Sequence, residues 1–220
     1  MNSNINVLIE RMQAKMNPHE ATAMSAYMRD QFSFLGIRSP LRKELLKEFL
    51  AQYPPQKKWV SVLWNLPERE YQYSALDILL KIKKQLNPDD LPLIESFITT
   101  RSWWDTVDLL AANAAGFLLL QSPDLQEEFG EKWLHSDNMW LNRTAILHQL
   151  HYKQDTNEEL LYRYILTHAA SSEFFIQKAI GWALREYSKI NPTSVRNFIE
   201  NENLKPLSKR EGLKWISKNN

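Results

Sequence analysis

A chain of 220 residues with 44% hydrophobic and 24% charged residues has the make-up of an ordinary globular protein, and no apolar run reaches the roughly 18 residues of a membrane span. The absence of cysteine excludes a disulfide framework, a thiol nucleophile and any cysteine-ligated metal. A net charge of +1, from 27 basic and 26 acidic residues, is no global signature of a nucleic-acid partner, so any basic face must arise by segregation.

In chain order, Met1 to Asn6 lacks a basic segment followed by an apolar stretch, so an unexported, cytoplasmic chain is expected. Ile5, Leu8, Ile9 and Met12 recur at helical spacing, as do Leu160, Leu161, Tyr164 and Ile165 further on. Ser39-Pro40, Asn87-Pro88, Ser122-Pro123 and Asn191-Pro192 each place a capping residue before a proline that opens a helix. Ser102 with Asp105, and Ser208 with Glu211, fit the capping-box spacing or its aspartate variant. With five glycines and short β-branched runs, an all-α chain of about a dozen short helices is predicted.

The helix starts repeat. Entry points at Pro67, Ser102, Asp137, Ser172 and Ser208 are 35, 35, 35 and 36 residues apart, the length of a two-helix unit. Tetratricopeptide consensus residues are not apparent, so HEAT-like two-helix repeats are expected, forming a curved right-handed solenoid with a concave basic groove. The expected organisation is one domain over residues 1–220, with 1–60 as an N-terminal cap and 67–220 as the repeats.

Six positions after each entry point stand Tyr73, Asp108, Arg143, Lys178 and Lys214, a ladder with one carboxylate among three cations. Arg38, Arg42, Lys43, Lys153, Arg185, Lys209 and Arg210 lie at helix starts or on the same segments, and together they suit a nucleic-acid backbone. Taken singly, each is as well explained as a solvated surface charge. Trp104 and Asp108, four apart, share a helix face; Lys178 and Trp182 have the same spacing. Asp105 suits the capping box and helix dipole, and Trp103, Trp133 and Trp140 suit packing. His148 and His151, three apart without a cysteine or clear carboxylate partner, read as structural rather than as a zinc site.

The sequence resembles the AlkD-like DNA alkylation-repair glycosylases. The resemblance is carried by Tyr27, Phe34-Leu35-Gly36-Ile37, Leu66-Pro67-Glu68-Arg69-Glu70, Ser102 to Asp108, Trp140-Leu141-Asn142-Arg143, Glu173 to Tyr187, and Pro206-Leu207-Ser208-Lys209-Arg210-Glu211. It covers nearly the whole chain. It implies a HEAT-like solenoid that grips duplex DNA in its concave face and excises positively charged N3- and N7-alkylated purines. A monomer is the default expectation, because a concave grip on DNA needs no partner, and no cofactor, metal or membrane is expected. On this resemblance Asp108 is the catalytic carboxylate, Trp104 and Trp182 are aromatic walls, and Arg143 clamps the DNA backbone. Tyr27, Phe174 and Phe175 match aromatic positions near the lesion, while Ser39 joins the cations above as a DNA contact. Arg38, His148 and His151 depart from the family pattern. Two rivals remain: a catalytically silent binder of distorted or branched DNA, and a scaffold for a protein partner.

Overall fold

The computed structural model describes residues 4–219. Helix is the regular structure of the described residues, with an isolated parallel bridge between Ser33 and Glu68. No described helix is long and apolar enough to cross a membrane. The chain divides into two compact units, one ending at Gln85 and the other beginning at Leu86.

The first unit holds α1 (Ile5–Gln13), α2 (Pro18–Tyr27), α3 (Ser39–Gln52), α4 (Lys57–Trp64) and α5 (Arg69–Lys81). The stripe Ile5, Leu8 and Met12 of α1 is fully buried, as its spacing requires, and α1 packs on α3. α2 starts on Asn17, whose side chain accepts from the Glu20 N–H at 3.2 Å, with Pro18 opening the helix. At α3 the expected serine cap is not used. Arg38 occupies the capping position, and Ser39 and Pro40 form the first turn.

Two phrases far apart in sequence meet in this unit. The Glu70 carboxylate, fully buried at the start of α5, accepts the N–H groups of Leu35, Gly36 and Ile37 at 2.9, 2.8 and 3.0 Å. Gly36 has φ +83°, and a Cβ there would lie 2.0 Å from the Asn17 carbonyl oxygen, so only glycine fits. Three charge-assisted bonds satisfy a loop that would otherwise bury orphan donors.

The second unit runs through α6 (Leu91–Thr99), α7 (Trp104–Leu109), α8 (Gly116–Leu120), α9 (Pro123–Leu134), α10 (Met139–Leu147), α11 (Glu158–Thr167), α12 (Phe174–Tyr187), α13 (Pro192–Asn201), α14 (Pro206–Leu213) and α15 (Ile216–Asn219). A π-helical stretch, Leu110–Ala115, joins α7 to α8 without a break. The observed starts Arg69, Trp104, Met139 and Phe174 are 35 residues apart three times over, and Pro206 follows 32 later. In this unit α7, α10, α12 and α14 pack side by side in that order, which is what the register requires of them. α9 and α11 lie against α10, and α13 against α12 and α14. The core includes Ile146, Leu147, Leu161, Ile165, Ile176, Ile180, Leu184, Val195 and Ile199.

Both capping boxes give way to other bonds. The Ser102 hydroxyl donates back to the Ile98 carbonyl at 2.6 Å, and Trp103 takes the capping position of α7 with no side-chain cap. The Ser208 hydroxyl donates to the Gln177 carbonyl at 3.1 Å, inside α14, which begins at Pro206. The Ile98 carbonyl is one of those left open in the last turn of α6, whereas the Gln177 carbonyl, in the first turn of α12, takes the Ser208 hydroxyl across the close contact between α12 and α14. Asn87, Asn138, Asn157 and Asn191 do cap with their side chains.

His148, at the end of α10, is fully buried. Its Nδ1 lies 2.7 Å from the Ala145 carbonyl and its Nε2 3.0 Å from the Gln126 amide nitrogen of α9. Burial pushes its pKa down to about 4, so the ring is neutral and structural, with Nδ1 as the donor. Gly116 lets α8 come close here: a Cβ would sit 2.2 Å from the His148 carbonyl oxygen. The Tyr152 hydroxyl donates to the Gly116 carbonyl at 2.8 Å.

Candidate active site and nucleic-acid interface

The centre of the second unit is an ion pair between neighbouring helices. Asp108 on α7 and Arg143 on α10 meet in a two-pronged contact, Nε to Oδ1 at 2.7 Å and Nη2 to Oδ2 at 2.8 Å. The third nitrogen, Nη1, donates to the Phe175 carbonyl in the first turn of α12. Parallel fork-to-carboxylate bonds are the strongest ionic geometry available and leave the carboxylate no rotational freedom.

An aromatic cluster fixes the third partner. Trp103, before α7, packs on Trp140 of α10 at 5.8 Å and edge-on to Phe175 at 5.2 Å, with Trp140 and Phe175 5.1 Å apart. The expectation that Trp103 and Trp140 serve packing agrees with this arrangement. Phe175 belongs to it too, so its ring builds the site while its carbonyl holds Arg143. Phe174, edge-on to Phe175, is exposed.

The Asp108 side chain is 14% exposed and that of Arg143 only 5%. Burial pushes the Asp108 carboxyl up from its ordinary range; the Arg143 hydrogen bonds and charge pull it down, and the nearby Asp105 adds to the rise. A carboxylate offers about four lone-pair sites and Arg143 takes two, so the outer side of Asp108 remains able to face a ligand. Trp104, one turn earlier on the same helix, is 36% exposed, more than any other tryptophan of the described residues. Trp182, one turn beyond Lys178 on α12, is half-buried and packed against the core of this unit.

The expected role of Arg143 as a phosphate clamp meets a guanidinium already taken up by Asp108 and Phe175. What the structure shows it doing is holding Asp108.

The cations of the expected basic track are mostly paired. In the first unit Arg42 is buried, its guanidinium 2.7 Å from Asp77 and 3.3 Å from the Ser74 hydroxyl, so it is a structural residue and no surface contact. Arg38 is 2.6 Å from Glu20 with its side chain 70% exposed. Ser39, Lys43 and Tyr27 are exposed on the same unit. In the second unit Lys153 and Arg210 are exposed and Lys209 is half-buried. Lys178, Arg185 and Lys214 all converge on Glu211, at 3.1, 3.2 and 2.7 Å. Asp108 is therefore not the single carboxylate among these cations. Lys214, moreover, caps the end of α14, where Asp108, Arg143 and Lys178 each take the fifth position of their helices.

Two buried carboxylates with several partners each were not singled out by the sequence. Glu211 suits a capping box by spacing; of its three cations only Lys214, three residues on, is a local signal, and Lys178 and Arg185 are brought to it by the fold. Glu70 sits inside a phrase that carried the family resemblance, with no local hint of its partners.

A family model of DNA alkylation repair enzymes matches residues 8–216. The chain belongs to the DNA alkylation repair enzyme family. The structure of a predicted DNA alkylation repair enzyme from Enterococcus faecalis superposes with a TM-score of 0.84 at 35% identity, covering 92% of this chain and 97% of that one. No curated protein matches significantly.

Proposed function

We propose that this DNA alkylation repair enzyme is a monofunctional DNA glycosylase, which hydrolyses the N-glycosidic bond of positively charged N3- and N7-alkylated purines in duplex DNA. The observation that carries the proposal is the immobilised, partly accessible Asp108 carboxylate with the exposed Trp104 one turn away.

Alkylation at N3 or N7 makes the purine a cation and so a ready leaving group, with no need for a general acid. The bond between C1′ and the purine nitrogen breaks with both electrons going to the base, and the sugar gains oxocarbenium character. A negative group fixed before the reaction stabilises that charge without reorganising, and its free lone pairs orient the attacking water. Arg143 serves this by holding Asp108 in one orientation. The indole faces of Trp104 and Trp182 attract the same developing cation, each by about 1–2 kcal/mol when desolvated. The exposed Phe174, Lys153 and Arg210 and the half-buried Lys209 of the second unit, and Tyr27, Arg38, Ser39 and Lys43 of the first, are assigned to DNA contact.

Methylated duplex DNA tests the proposal. The native protein is expected to free 3-methyladenine or 7-methylguanine, read by chromatography of the released bases. No release from the native protein ends the glycosylase assignment, and release that survives Asp108→Asn ends the role given to Asp108. A silent DNA binder, the second reading, gains support from the same ion pair if it only staples α7 to α10. That reading requires undiminished DNA affinity with no base release.

A further inference from the structure

The second unit contains one arrangement that neither the chemistry at Asp108 nor the packing of the core requires. Glu211 of α14 is 5% exposed, and its two oxygens are shared among three cations drawn from two helices. Lys178 reaches Oε1, while Arg185 and Lys214 reach Oε2. The two helices approach closely at this point. Gly181 of α12 faces Glu211 so tightly that a Cβ would sit 2.4 Å from the glutamate Cβ, and Ser208 bonds across to Gln177.

A staple between two helices needs one cation per carboxylate. Here three positive charges meet one negative charge, which leaves two in excess. The cations also differ from their partner in exposure: the Lys178, Arg185 and Lys214 side chains are 37, 29 and 52% exposed against 6% for Glu211. Each retains donors beyond the one Glu211 accepts, since an ammonium has three and a guanidinium five. The carboxylate is held ionised, its pKa pulled down to about 2 by the Lys214 and Lys178 contacts against the opposing effect of burial.

We infer that Glu211 is a positioning residue that gathers Lys178, Arg185 and Lys214 into a preorganised cradle for backbone phosphates of the DNA. The inference rests on DNA being the substrate, as proposed above. A free lysine side chain must lose its rotamer freedom when it meets a phosphate. Lysines already drawn to a buried carboxylate have lost much of that freedom before the DNA arrives. The two excess charges fit one or two phosphates.

Charge counting makes the opposite prediction. Removing Glu211 adds one net positive charge and should tighten DNA binding and steepen its salt dependence. The cradle predicts that Glu211→Gln weakens binding several-fold, because the three cations repel one another and spread.

The test is binding of duplexes in which single linkages are made neutral methylphosphonates, at a temperature where circular dichroism shows each variant folded. With the native protein, one or two linkages should cost about tenfold in affinity when neutralised. With Glu211→Gln the same linkages should cost little. Lys214→Gln, at an exposed position, provides a variant whose folding is not at issue, and it should flatten the profile at the same linkages. Glu211→Gln binding as tightly as native or tighter overturns the cradle. So does weaker binding with an unchanged linkage profile, which is the mark of a staple, and so does a Lys214→Gln profile identical to native. Base release measured on the same preparations keeps the two proposals apart. Release with a profile indifferent to Glu211 refutes the cradle alone, while the expected profile without release refutes the glycosylase alone.

Discussion

Asp108 and Glu211 are both largely buried carboxylates of the second unit, both gripped by cations reaching from a neighbouring helix, Glu211 also by Lys214 of its own, and their pKa values move in opposite directions. Asp108 meets one guanidinium in a two-pronged contact, and burial still raises its pKa. Glu211 meets three cations and falls to about 2. The difference is one of ownership. At Asp108 the cation is the more deeply buried partner and the carboxylate the more accessible one; at Glu211 the carboxylate is inside and the cations face out. The first arrangement presents a fixed negative charge, the second a fixed positive array.

The strongest way to break this contrast is Asp108→Asn. Loss of a preorganised charge at the reacting centre is expected to lower single-turnover base release by about 100- to 1000-fold while leaving DNA affinity within a few-fold of native. Equal losses in both quantities would make Asp108 one more binding residue.

Next is Arg143→Gln, which strands a buried carboxylate. Urea unfolding should show a loss of about 3 kcal/mol. The pH profile gives a sharper sign. In the proposed mechanism Asp108 works ionised, and burial raises its pKa above the ordinary 3.8, so activity should fall as pH drops through a value higher than 3.8. Without Arg143, the partner that pulls the pKa down, that acid limb should move further up. An unmoved limb would show that another group controls it.

Stability has its own acid limbs. His148 is neutral in the fold with a pKa near 4 against an ordinary 6.5, so the unfolded chain takes the proton first. Up to about 3 kcal/mol of stability should be lost as pH falls from 6.5 towards 4, and His148→Gln should remove that slope. Glu211, with its depressed pKa, contributes stability above its ordinary 4.5 that disappears towards pH 2. Asp108 behaves oppositely: its raised pKa contributes stability at low pH that is lost as pH rises through its folded value.

Much of the frame was legible in the residues. The 35-residue spacing survives in the observed starts at Arg69, Trp104, Met139 and Phe174 because each repeat must return an apolar face to the same neighbours. The shared face of Trp104 and Asp108 follows from their spacing on α7. Partner choice was not legible. Ser102 and Ser208 have cap-like surroundings in sequence, but the carbonyls of Ile98 and Gln177 come close only in the fold. The sequence positions of Arg42, Lys178 and Arg185 likewise say nothing about the acids, Asp77 and Glu211, that the fold sets beside them. The alanines of Leu110–Ala115 look like an ordinary helix, so the widened turn there left no trace.

The smallest expected effect concerns the aromatic wall. Trp104→Ala should lower base release about tenfold, in line with an indole contribution of about 1–2 kcal/mol, with little change in unfolding because the ring is the most exposed of its kind. A loss as large as that of Asp108→Asn would move the ring from the wall of the site to its centre.

The π-helical stretch sets a rule about length. The continuous helix from Trp104 to Leu120 must touch α10 twice, through Asp108 on Arg143 and through Gly116 on His148. Those two points are eight residues apart, which on a regular α-helix puts them about 80° out of phase. A turn closed at i+5 absorbs one residue and reduces the effective count to seven, the spacing at which a helix comes back to the same side. Deleting a single alanine from Ala111–Ala115 is thus expected to leave a regular α-helix with seven residues between the two points, so that the carboxylate and the close-packed glycine still meet one partner, whereas deleting two would turn them about 120° apart.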